Sequence, residues 1–180
     1  MMSRVASTAF MRPVWCRFRH NRRGSAAVEF ALVAPVFFAL LFAIIETGII
    51  FFAGQILQTV ATDSARTILT GQTQTAGLTP AQFQSNVVCP FIPALLSCAN
   101  IIINVQSTSS FTGFVPYNCV ANGAQNANIQ YNPGGPGDVV VLTLCYQWPL
   151  FVTGLGYNTA NLVNGQRLLT ASAAFRSEPY

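Results

Sequence analysis

Five thiols are the groups in this chain best suited to bind a soft metal or attack an electrophile. Cys16 stands near the N-terminus, and Cys89, Cys98, Cys119 and Cys145 fall in the last hundred or so residues. Their separations contain no C-x₂-C pair, the spacing from which zinc sites are commonly built. An even set of cysteines in a polar, turn-rich region instead reads as disulfides in an oxidising compartment. Three pairings are open, of which Cys89 with Cys98, bracketing Pro90-Phe91-Ile92-Pro93, and Cys119 with Cys145 are favoured. The single histidine is His20, and beyond residue 70 there is no lysine and no carboxylate except Asp138 and Glu178. Those parts cannot assemble a Ser-His-Asp triad, a Cys-His pair or a histidine-bearing metal centre. No enzyme, cofactor or metal is expected; a redox or metal enzyme using the four cysteines is a competing reading that requires free thiols.

A second constellation is the junction Arg22-Arg23-Gly24-Ser25-Ala26-Ala27-Val28-Glu29-Phe30. Gly24 lets the backbone present an accessible extended or kinked bond. Glu29, placed by the sequence in the first turn of a helix, would complement its dipole at about 0.3 to 1 kcal/mol. That role accounts for the acid but for neither the glycine nor the arginines before it.

A third is the isolated acid Glu46. At about 1.5 Å per residue it lies roughly 24 Å beyond Phe30, within an apolar run that reaches Gly54. Arg66 is about 30 Å further along the same helix, too far to neutralise it. Either Glu46 snorkels outward or is protonated, or it contacts another subunit.

These residues must be positioned by a small number of elements. The chain has 180 residues, 52% hydrophobic and only 8% charged, against about 25% charged in a typical soluble domain. Six arginines precede Gly24 without an acid, while the remainder holds three arginines and five acids, or 3 − 5 = −2. The basic head therefore sets the sign of the whole, and the body lacks the basic stripe that nucleic-acid binding would need. Residues 30–54 would extend roughly 38 Å as a helix, enough to span a bilayer with some tilt. Arginines on the N-terminal side alone place that end in the cytoplasm. The run is too long for an ordinary signal peptide.

Helical spacing continues outside the span, with Ile56, Leu57, Val60, Ala61, Ser64 and Ile68 on one side, until Gly71 supplies a stop. Thr79-Pro80-Ala81-Gln82 has the form of a capping box opening a short helix that ends before Pro90. Strands are expected near Ile101–Gln106, where Ile101, Ile103 and Val105 alternate with Ile102, Asn104 and Gln106, and at Val139–Trp148 and Leu168–Phe175. The glycines and prolines of Tyr131–Asp138 favour turns, and no helix follows as a phosphate-binding loop requires. The expected fold is α+β, a long N-terminal helix with a membrane-spanning first half packed on a small antiparallel sheet. Its divisions are a basic leader over 1–24, a transmembrane and amphipathic helix over 25–70, and a disulfide-bearing periplasmic domain over 71–180.

The junction at Gly24 resembles the processing motif of type IV prepilins, which a membrane prepilin peptidase cuts after the glycine. Together with Glu46-Thr47-Gly48, Arg66 and the ending Phe175-Arg176-Ser177-Glu178-Pro179-Tyr180, it resembles the TadE-like pseudopilins of the Tad (Flp) pilus system. Phe30 stands where major Flp pilins carry tyrosine, Ser177 where asparagine is expected, and the large external domain is unlike a major pilin. The resemblance implies a non-catalytic minor pilin of the bacterial inner membrane, cleaved between Gly24 and Ser25. Glu29 and Glu46 would contact other subunits, with other Tad pilins, the assembly platform and the lipid bilayer as partners. An uncleaved single-pass anchor carrying a periplasmic binding domain is the alternative.

Overall fold

The computed structural model describes residues 24–121, 123–126, 128–154 and 157–180. The arginine-rich head, with Cys16 and His20, lies outside the described residues. Helix α1 runs over Ser25–Leu69, α2 over Gln72–Thr75 and α3 over Pro80–Phe83. The strands are β1 (Ile101–Thr108), β2 (Val120–Ala121), β3 (Ala124–Gln125), β4 (Val139–Trp148) and β5 (Arg167–Arg176). Two compact units divide at Phe42 and Ala43.

In the first unit the described residues from Ser25 onward are helical, and Phe30, Leu32, Val33, Phe37 and Leu40 are exposed. Pro35 sits inside the helix, which membrane helices tolerate better than soluble ones. α1 is long and apolar enough to cross a membrane. An apolar surface without protein cover is what a lipid-embedded segment presents.

The second unit is an α+β fold. From Ala43 the same helix buries one stripe, with Ala53, Leu57, Val60, Ala61, Ser64 and Ile68 at or near zero exposure. That spacing follows the 3.6-residue period. Against it lies an antiparallel sheet in the order β1-β4-β5. β4 is central: Val140, Leu142, Leu144, Tyr146 and Trp148 enter the helix-side core, while Cys145 joins Ile102 and Cys119 in a second cluster. Alternate side chains thus serve opposite faces. Burying Leu57 or Leu142 contributes about 1.5 to 3 kcal/mol each.

One local expectation needs correction, and β1, present as expected, is more buried than alternation requires. β1 does not divide cleanly into a buried and an exposed face, because Ile101, Ile102, Asn104 and Val105 are all buried. Asn104 Oδ1 accepts the Gln130 N–H at 2.8 Å, while its buried Nδ2 has no partner among the described residues. The helical path opened by Thr79 also does not stop before Pro90: α3 passes into a π turn over Gln84–Val88 and a 3₁₀ turn over Cys89–Phe91. Pro90 fits because the first turn of a helix asks for no backbone donor.

Candidate functional site

The N-terminal junction is simple in structure. Gly24 is exposed, has no positive φ, and a Cβ built there would meet nothing within 4 Å. Among the described residues, no packing or backbone demand selects glycine at that position. α1 begins at Ser25, so Glu29 is its fifth residue, one turn further in than the first turn expected from sequence. The Ser25 hydroxyl donates to Glu29 Oε1 at 3.1 Å, an exposed i, i+4 contact.

Glu46 is placed very differently. It is 5% exposed, and both its oxygens are engaged within the chain. The Phe151 N–H donates to Oε1, and the Val152 N–H donates to Oε2 at 3.1 Å. One carboxyl group thereby satisfies two successive backbone donors of the turn after β4. Its neighbour Thr47 donates to the Ala43 carbonyl at 2.7 Å, which uses its single hydroxyl hydrogen. The hydroxyl bond between Thr47 and Tyr157 must then run from tyrosine to threonine. Glu46-Thr47 is therefore a clasp that fastens the loop after β4 to α1. Gly48, also in that motif, is exposed with nothing near its missing Cβ. The sequence alternatives for Glu46 omitted this arrangement, since nothing local announces a partner more than a hundred residues away.

The C-terminal tail forms another closure. Gly71 ends α1 at φ 73°, and a Cβ there would sit 2.2 Å from Cγ of Tyr180. The Glu178 N–H donates to the Leu69 carbonyl at 2.9 Å, supplying one of the acceptors left open at the helix end. Ser177 N–H donates to the Asp138 carbonyl at 2.8 Å, and Arg176 Nε donates to the Gly137 carbonyl at 2.8 Å. Arg176 through its side chain and Glu178 through its backbone N–H thus tie down two different segments. Asp63 and Arg66 are exposed on α1.

The four later cysteines pair as Cys89 with Cys98 and Cys119 with Cys145. The first closes the turn after the π segment, and the second ties the segment before β2 to the central strand. Among the described residues no group of three or more His, Cys, Asp or Glu side chains is arranged to hold a metal. A cavity of about 590 Å³ beside β1 is lined by Gln84, Asn100, Tyr131, Gln147 and Gln166 together with aliphatic side chains. Tyr131 is its one titratable residue, and burial pushes that phenol up to about 12. A phenol so hard to ionise is a poor base near neutrality.

Neither a curated protein nor a solved structure matches the chain. Residues 24–66 match the family model described as TadE-like protein, so the segment running from Gly24 through the clasp to Arg66 is TadE-like.

Proposed function

We propose that this chain is a non-catalytic minor pilin, or pseudopilin, of a Tad (Flp) pilus, made as a precursor that prepilin peptidase cuts after Gly24. Gly24 carries the reading. The TadE-like match opens at this residue, yet none of the described residues packs against the place of its missing side chain. A peptidase that must accommodate the backbone closely gives the missing side chain a purpose. Cleavage would make Ser25 the new N-terminus and remove the six basic residues of the head. Glu29, whose side chain is exposed and among the described residues accepts from Ser25 alone, would meet the N-terminal amine of a neighbouring subunit, an attraction strengthened in a low dielectric. In this reading α1 anchors the protein in the bacterial inner membrane with a cytoplasmic leader and a periplasmic C-terminal domain. The two disulfides suit that compartment. Its partners are the peptidase, other Tad pilins and the inner-membrane platform.

Intact mass of the membrane-extracted protein, with and without reductant, tests the proposal. The expected mass lacks residues 1 to 24 and rises on reduction by the hydrogens of two disulfides. Gly24→Leu should retain the leader. Retention of residues 1 to 24 in the active, unmodified protein would instead support an uncleaved single-pass anchor with a periplasmic binding domain.

A further inference from the structure

The clasp at Glu46 lies on the apolar side of the point where α1 becomes polar. In the second unit Ile44, Ile45, Ile49, Phe51 and Phe52 are all exposed on the helix, Phe51 at 71% and Phe52 at 61%. The next exposed side chain is Gln55. Glu46 precedes Phe52 by six residues and Gln55 by nine, or about 9 and about 13 Å along the axis. If the exposed phenylalanines lie in lipid, whatever Glu46 holds is at their depth or below it.

What it holds is the turn Pro149-Leu150-Phe151-Val152. Phe151 is 78% exposed although its backbone N–H is bonded to a buried carboxyl oxygen. Irregular backbone is excluded from hydrocarbon unless its polar groups are satisfied. Two of the turn's backbone donors meet that condition, because Glu46 accepts from both Phe151 and Val152, and Pro149 has no N–H. The Leu150 N–H and the turn's carbonyls are left to water and headgroups, so the Phe151 side chain would enter the acyl region while the backbone stays at its edge. Beside the strand end from which the turn leaves, Arg167 pairs with Trp148 and lines a groove of about 490 Å³ with Thr47, Phe51, Gln55 and Gln58. A cation at that level suits the headgroup region.

We propose that the Pro149–Val152 turn is a second membrane contact, inserted into the leaflet at the C-terminal end of the span with Phe151 facing acyl chains. Glu46 is the positioning residue that makes the insertion possible. The inference rests on α1 being embedded from its start to Phe52. Lipid is the occupant because the exposed face of Phe151 is level with that apolar helix surface, which the membrane already covers.

The test uses the full chain in phosphatidylcholine vesicles with plain or brominated acyl chains, in a Trp15→Phe background that keeps the buried Trp148. Phe151→Trp should lose most of its added emission to the brominated chains, as Phe42→Trp within the span does. Val163→Trp, exposed at 83% in the same unit, should keep its emission. Quenching at Phe42→Trp with none at Phe151→Trp overturns the insertion, including the case in which a neighbouring subunit covers Phe151. Absence of quenching at both positions overturns the membrane reading beneath it. Equal quenching of Phe151→Trp and Val163→Trp shows non-specific adsorption and overturns the proposal as well.

Discussion

Replacing Glu46 by alanine should release the turn after β4 while leaving the helix intact. The side chain accepts two backbone N–H bonds, from Phe151 and Val152, in a site 5% exposed. Hydrogen bonds to a charged group contribute about 1.5 to 3 kcal/mol each. Taking the lower figure twice gives roughly 3 kcal/mol for opening the turn, which at about 1.4 kcal/mol per decade is roughly a hundredfold rise in the open population. Alanine is a better helix former than glutamate, so α1 itself has no reason to melt.

Native-state hydrogen exchange read by mass spectrometry on peptides covering 149–154 reports that population directly. Exchange there should accelerate by about two decades in Glu46→Ala, with peptides from β4 and from residues 55–69 unchanged. Glu46→Gln retains one acceptor oxygen and turns an amide donor toward the other N–H, so it should fall between parent and alanine. Thr47→Val removes the hydroxyl's bond to the Ala43 carbonyl within the helix and the neutral bond that tethers Tyr157; the tether is worth about 1 kcal/mol, or about fivefold. Parent-like exchange of the 149–154 peptides in Glu46→Ala would refute the clasp. A global rise in exchange would show that Glu46 supports the whole unit rather than this turn.

Two further outcomes follow from the second unit. Gly71→Ala should destabilise by more than the roughly 1 kcal/mol expected of a left-handed alanine, because its Cβ would strike the Tyr180 ring. Gly77→Ala, at φ 58° with open space around it, should show only the backbone cost, and Tyr180→Ala should bring Gly71→Ala down to that level in denaturant melts. Stability should also fall as pH rises from about 10 towards 12: the unfolded Tyr131 phenol ionises near its ordinary value while the folded one is held up to about 12. Below that window the folded and unfolded phenols are both neutral and make no difference, and Tyr131→Phe should flatten the alkaline decline in a pH series of melts.

The elements read from sequence were those whose signal is local and periodic. The α1 stripe, the Thr79-Gln82 capping box and strands β4 and β5 each repeat a pattern over adjacent residues, and all are present. Burial of β1 on both faces was hidden because its second cover comes from non-periodic segments around Cys119 and Gln130. The site followed the same division. Gly24, Ser25 and Glu29 are adjacent and legible as a motif. Glu46 stood out as a charge in an apolar run, but its two donors are backbone groups of residues 151 and 152, and an amide N–H carries no signature in an amino-acid sequence. The closure of residues 176–180 on Gly71 and Leu69 was invisible for the same reason, since the carbonyls of Leu69, Gly137 and Asp138 do most of the accepting.

Separating what the fold uses from what it leaves unused sharpens the functional case more than any single contact. Gly71 and Gly24 are both glycines at an end of α1, yet Gly71 has a positive φ and an aromatic ring against its Cα, whereas Gly24 has neither. Glu46 and Glu29 are both acids on the same apolar helix, yet Glu46 spends both oxygens on its own chain, whereas Glu29 has one exposed contact with a serine. Folding therefore accounts for Gly71 and Glu46 without reference to any partner. It accounts for neither Gly24 nor Glu29, which lie five residues apart at the start of the TadE-like segment. Both are exposed, and among the described residues neither the backbone asks for the glycine nor the core for the acid. An acid beside an apolar span carries a cost that the described residues do not offset at Glu29, whereas at Glu46 two backbone donors do; under the proposed function, processing and a neighbouring subunit act at this end of α1 rather than at the buried carboxyl group of Glu46.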